Sequence, residues 1–207
     1  MITVSLDHSI NSSGICIEHN GKYQWLLIVA AEKPDKMSRK LSELNDVTVI
    51  TYERTGDNLK DGARVGKIIV ESIKELQRIW KDNDLTVVKE DYAYSSVWNT
   101  LVQLVEHSSM VVYSIETELG ATVHKIAPKH IKKSFTGNGN ANKTDMHNAF
   151  CREDLKGSFH NFCKQWDKAQ SHTNDLIDAY ALLKTIEKEN ELTSEESTQD
   201  TTNKDIV

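Results

Sequence analysis

MITVSLDHSINSSGICI, residues 1–17, is the stretch on which the fold turns. Ile2, Val4 and Leu6 alternate with Thr3 and Ser5, the period of a strand with one apolar face, and the run closes on a single acid, Asp7. Ser9, Asn11, Ser12, Ser13 and Gly14 then supply turn chemistry before residues 15–17 resume an apolar strand. The stretch predicts two strands joined by a turn, with Asp7 exposed at one end of a sheet. A lone acid in that position is most often a solvated turn residue, so its meaning depends on what the rest of the chain brings to it.

Outward from there, Asn20-Gly21 lies between apolar runs and marks a two-residue hairpin, so residues 1–30 should form a three-stranded meander. Residues 32–44 suit a short polar helix and residues 47–52 a short strand. Residues 61–80 carry Val65, Ile68, Ile69, Ile73, Leu76 and Ile79 at helical spacing. Leu85, Val87 and Val88 make a buried strand that runs into Lys89-Glu90-Asp91, so a second strand also ends in acids. A helix follows over 95–118 and a strand over 121–127. Pro128 opens a basic helix, as proline does at a first helical position. Residues 146–166 read as one helix or two, and His172-Thr173-Asn174 caps a last helix through Ile186.

Composition sets limits. With 207 residues, 38% hydrophobic and 27% charged, the chain suits one domain, residues 1–188, followed by a disordered acidic tail, residues 189–207. The net charge of −6 is uneven: residues 187–207 hold seven acids against two lysines, which leaves the domain nearly neutral. Between residues 121 and 143 lie Lys125, Lys129, Lys132, Lys133 and Lys143 with no acid, and inside that patch is the loop Gly137-Asn138-Gly139-Asn140. No apolar run spans a bilayer and no signal peptide opens the chain, so a soluble protein of the cytoplasm, the host's if it is viral, is expected. Three cysteines without framework spacing fit reduced thiols.

The acids carry the chemistry. Asp175 and Asp178 are three apart, so one helical turn points them the same way, and with Asp7 and Glu90 they make four carboxylates able to meet at one sheet end. Clustered carboxylates repel unless cations neutralise them, and hard oxygen ligands select Mg²⁺ or Mn²⁺. Two such ions about 4 Å apart serve phosphodiester hydrolysis. Taken singly, each acid has a plainer role: Asp175 and Asp178 as helix-start and surface charges, Glu90 as a strand end. Their order, with a basic patch between the second and third, favours the joint reading. The same element order is that of a ribonuclease H-like α/β fold, a central mixed sheet of five strands flanked by helices.

These residues resemble the RuvC Holliday-junction resolvases, particularly phage-type members, over residues 1–186. SLDHSINSSGICI is similar to the family's first catalytic strand and VVKEDYAY to the strand with its glutamate. APKHIKKSFTGNGNANKTDM is similar to its basic helix, glycine loop and lysine-bearing helix start, and NDLIDAYALL to its D-x-x-D-A helix. The resemblance implies metal ligands at Asp7, Glu90, Asp175 and Asp178, a catalytic role for Lys143, and DNA contacts from Lys129, Lys132, Lys133 and Lys143. It also implies a homodimer that cuts two symmetric strands of a four-way junction. Three departures stand out. His8-Ser9 follows the first acid where many members have proline and glycine. The family's base-stacking aromatic falls nearest Ala93, which would pass that work to Tyr92 or Tyr94. Extra residues separate Lys143 from Asp175, and they include His147, Cys151, His160 and Cys163, a spacing compatible with zinc but better read as buried cysteines beside exposed histidines.

Rival functions are a ribonuclease H-like nuclease acting on other branched DNA or on RNA:DNA hybrids, and a junction-binding module without catalysis. A sugar-kinase or actin-like ATPase would need a second glycine-rich phosphate loop that the sequence lacks.

Overall fold

The computed structural model describes residues 1–92, 98–168 and 170–202. Strands β1 (Ile2–His8), β2 (Ser12–His19) and β3 (Lys22–Ala30) form the expected antiparallel meander. Its hairpin places Asn20 and Gly21 at φ 52° and 75°, the two left-handed positions that a type I′ turn requires. Helix α1 (Lys36–Ser42) begins at Asp35, whose carboxylate accepts from the Ser38 amide. Strand β4 (Val47–Tyr52) then pairs in parallel with β3. Helix α2 (Asn58–Trp80) leads to β5 (Leu85–Glu90), parallel to β1, and α3 (Trp98–Leu119) leads to β6 (Val123–Ile126), parallel to β5. Helices α4 (Pro128–Thr136), α5 (Lys143–Arg152), α6 (Ser158–Cys163) and α7 (Thr173–Thr202) complete the chain.

The sheet has six strands in the order β4-β3-β2-β1-β5-β6, one more than the five expected. Strand β4, expected over residues 47–52, joins that sheet at its edge, outside the five strands of the expected central sheet. The α/β class and the mixed sheet stand.

Alternation within the strands sorts two cores. Ile2, Val4, Leu6, Ile15, Ile17, Leu26 and Ile28 face α2 and α3 and pack on Val65, Ile69, Ile73, Val111 and Ile115. Cys16, Trp25, Leu27, Val29 and Val88 face the other way, onto Phe150, Phe159, Leu176, Tyr180 and Leu183. The polar side of β1 therefore points at α7: Thr3 and Ser5 are buried there, and the Ser5 hydroxyl donates to the Ala179 carbonyl at 2.7 Å. Asp7 shares that parity.

The extra residues after α5 build α6. Asp46, in the turn between α1 and β4, accepts from the Ser158 hydroxyl and the Phe159 amide, and Phe159 and Cys163 fill the second core. At the far end the α7 backbone stays helical to Thr202, past residue 188 where composition suggested disorder. Residues 173–202 hold no Gly or Pro and many good helix formers, and Lys188 and Glu189 reach Ser134 and His130 on α4. Among the described residues no helix is long and apolar enough to cross a membrane.

Candidate functional site

Two parallel strands and one helix bring four acids together. The register pairs Leu6 with Lys89, so Asp7 and Glu90 come next, side by side, at the carboxyl ends of β1 and β5. Val88 packs in the α7-side core, and period two puts Glu90 on the same face. Across that face lies the first turn of α7 with Asp175 and Asp178, while Leu176, Ala179 and Leu183 anchor it at helical spacing. Gly14 makes the close approach possible: it pairs with Asp7, and a Cβ there would stand 2.2 Å from the Asp175 carbonyl oxygen.

The cluster is electrostatically tense. Burial, then the charges of Glu90, Asp178 and Asp175, hold the Asp7 carboxyl well above the usual carboxylate range. Asp7 and Glu90 share a hydrogen bond, and Glu90 is raised by burial against the opposing pull of that bond and of Lys132 and Lys89. Asp178 is pushed up to about 7 by burial and by Glu90 and Asp175, with Lys143 and Lys132 opposing. A small cleft at the cluster is lined by Glu90, Asp178, Lys132, Pro128, Ile131 and Met146.

Of the lysines singled out in the sequence, the structure brings Lys132 and Lys143 within electrostatic reach of the acids. Lys143 is the first residue of α5, beside a capping box made by Asn142 and Asp145. Lys129 and Lys133 are exposed on α4, and the aliphatic stem of Lys129 lies against Gly139 of the glycine loop. Tyr92 is held under the Lys89 ammonium, 4.3 Å from ring centre to Nζ. Tyr94 and Ala93 lie outside the described residues.

The four His and Cys residues do not converge. His147 Nε2 faces the Cys163 carbonyl at 3.2 Å and lies 3.6 Å from Cys151 Sγ, whereas His160 spends both ring nitrogens on the Leu155 and Phe150 carbonyls. Both histidines are buried, against the expectation of exposure, because each ties backbone within the added segment. Among the described residues no three His, Cys, Asp or Glu side chains stand in metal-holding geometry.

Several residues at the site gave no sequence signal. Lys89 is buried, donates to the Glu90 carbonyl at 2.8 Å and is lowered to about 8 by burial and then by Lys125. His8 fills the departure after Asp7: its Nδ1 meets Ser13 Oγ at 2.8 Å and its Nε2 meets His107 Nδ1 at 3.0 Å, with the two rings stacked. Ser12 donates to Asp175 Oδ2 at 2.5 Å, and His172 reaches both Ser12 and Asp35.

No protein-family model matches this sequence. No curated protein matches it either. Among solved structures the chain is similar to Thermus thermophilus RuvC, at 15% identity over 89% of this chain and 92% of that one, with a TM-score of 0.49. It is also similar to T. thermophilus RuvC in complex with Holliday junction substrate, with the same identity and coverage and a TM-score of 0.53. At that identity the likeness is one of fold. The architecture is RuvC-like, within the ribonuclease H-like class.

Proposed function

We propose that the protein is a structure-selective endodeoxyribonuclease that resolves four-way DNA junctions by metal-dependent phosphodiester hydrolysis. The observation that carries this is the gathering of Asp7, Glu90, Asp175 and Asp178 from β1, β5 and α7, with Glu90 and Asp178 lining a cleft edged by Lys132 and with Lys143 close by.

The donor set fits a hard divalent cation. Four crowded carboxylates, two of them with proton affinity raised by burial and by one another, lack the positive charge that Mg²⁺ or Mn²⁺ would bring. Asp7, Glu90, Asp175 and Asp178 would hold it, and two bound ions would supply Lewis acidity and a water made nucleophilic at neutral pH. Lys132 offsets backbone charge at the cleft. Lys143, at the amino end of α5 and within electrostatic reach of Asp178, would set its ammonium beside the scissile phosphate. Tyr92 offers a ring beside the Glu90 strand end for an opened base.

Junction DNA is favoured over other nucleic acids by the fold it shares with a protein solved on a Holliday junction. Two equivalent strands call for two equivalent sites, hence a two-fold homodimer in the cytoplasm, the host's if the protein is viral. The test is cleavage of matched four-way junction, flap, duplex and RNA:DNA hybrid substrates in Mg²⁺ and in EDTA. Paired, ligatable nicks in the junction with Mg²⁺ alone are expected. Turnover in EDTA overturns the metal dependence, equal or faster cutting of hybrid or flap overturns the substrate, and binding without cutting in any metal leaves a non-catalytic module.

A further inference from the structure

We infer that Asp35, His172 and Ser12 form a hydrogen-bonded relay that positions the Asp175 carboxylate; this rests on the metal-dependent reading of the cluster. The relay joins three parts of the fold, the start of α1, the turn before α7 and the start of β2, and it ends on one oxygen of one acid.

Each link has a direction. The Ser12 hydroxyl donates its single proton to Asp175 Oδ2 at 2.5 Å, so toward His172 Nδ1, 3.3 Å away, Ser12 Oγ accepts. His172 Nε2 lies 3.1 Å from Asp35 Oδ2, an acceptor, so the ring donates at both nitrogens. His172 Nδ1 is also 3.8 Å from Asp175 Oδ2, which places the ring beside the same oxygen that Ser12 holds. Asp35 is fixed in turn, because its Oδ1 accepts the Ser38 amide at 2.7 Å as the cap of α1 and leaves Oδ2 for His172.

The backbone is shaped for these links. His172 has φ 64°, a left-handed conformation uncommon outside glycine but better tolerated by Asn, Asp and His, and it comes immediately before Thr173, the first residue of α7. Gly14 lets β2 abut the start of α7, which brings Ser12, two residues upstream, within reach of Asp175. Among the described residues Asp175 Oδ1 accepts no hydrogen bond, so the relay occupies one carboxylate oxygen and leaves the other for a ligand. Groups that fix a ligating side chain in this way are positioning residues, and their loss costs roughly tenfold or more in metal affinity.

The test is calorimetric titration of the full chain with Mn²⁺ in the absence of DNA, paired with melting in EDTA and junction affinity in EDTA. Ser12→Ala and His172→Ala should each weaken Mn²⁺ binding by about tenfold while melting and metal-free junction affinity stay at the wild-type level. Ser12→Thr, which keeps the hydroxyl, should restore wild-type Mn²⁺ affinity. The Ser12→Ala/His172→Ala double variant should lose no more than the larger single loss, because both act through one contact. Wild-type Mn²⁺ affinity in Ser12→Ala, failure of Ser12→Thr to restore it, or a double loss equal to the product of the single losses overturns the relay. A wild-type chain that binds no Mn²⁺ overturns the metal-dependent function itself, so the two failures are told apart. Should His172→Ala fail to fold, the Ser12→Ala and Ser12→Thr pair decides alone.

Discussion

Asp178 keeps its proton to about pH 7 because burial and two neighbouring acids penalise its charge. Its folded value lies above the unfolded one, so between about pH 4 and 7 the native state binds more protons than the unfolded chain and stability falls as pH rises through that window. In EDTA, Asp178→Asn should therefore raise the melting temperature at pH 8 and leave it nearly unchanged at pH 4, and Mg²⁺ should stabilise the wild type more at pH 8 than at pH 5. A variant that melts below the wild type at pH 8 would refute this sign. For catalysis, Asp7→Asn, Glu90→Gln, Asp175→Asn and Asp178→Asn should each slow single-turnover junction cutting by about a hundredfold or more, with junction binding retained or tightened; a variant that cuts at the wild-type rate is not a ligand. The lysines should separate by role. Lys132→Ala is expected to weaken binding to every DNA shape and to lower the salt slope by roughly one counterion. Lys143→Ala should reduce turnover far more than affinity, because charge on the phosphate grows in the transition state. Affinity in Ca²⁺ set beside single-turnover rates in Mg²⁺ resolves the two, and equal losses for Lys143→Ala would make it one more phosphate contact.

Between elements, the tightest seam at the site is where β2 meets α7. Gly14→Ala would drive a Cβ into the Asp175 carbonyl, and overpacking of this kind costs about 1–3 kcal/mol. The expected result is a lower melting temperature together with a loss of cutting larger than the fraction unfolded explains; an alanine tolerated with full activity would mean that α7 has room to shift. This seam also shows how far local pattern carries. Strict alternation in β1 and the three-residue spacing of Asp175 and Asp178 are local facts, so the meander, the acids' faces and the last helix were legible. Glu90 was legible because its strand ends in it. Ser12, His172 and Asp35 were not, since their bonds span 137 to 163 residues and leave no periodicity. Lys89 escaped because a lysine beside acids looks like a solvated charge. The burial of His147 and His160 followed from carbonyls that only the folded α5–α6 segment presents, and strand β4 was legible as a strand although its place at the sheet edge was not, because pairing partners leave no local pattern.

At the scale of the whole molecule, the α7 side of the sheet is closed by a helix far from the strands it covers. Ser5 bonds to Ala179 across 174 residues, and Asp175 joins Asp7 only when α7 docks. During synthesis, β1 to β6 and their lysine-rich neighbour emerge first, and the face that holds Cys16, Trp25 and Leu27 is not fully covered until α7 follows. Half of the acids arrive with that helix. A partly made chain thus carries the lysines of α4 and α5 without a complete set of acids, and a ribosome-tethered chain halted before residue 173 has only two of the four. On the proposed function, the order of translation keeps cutting chemistry switched off until the polypeptide has covered its own apolar face.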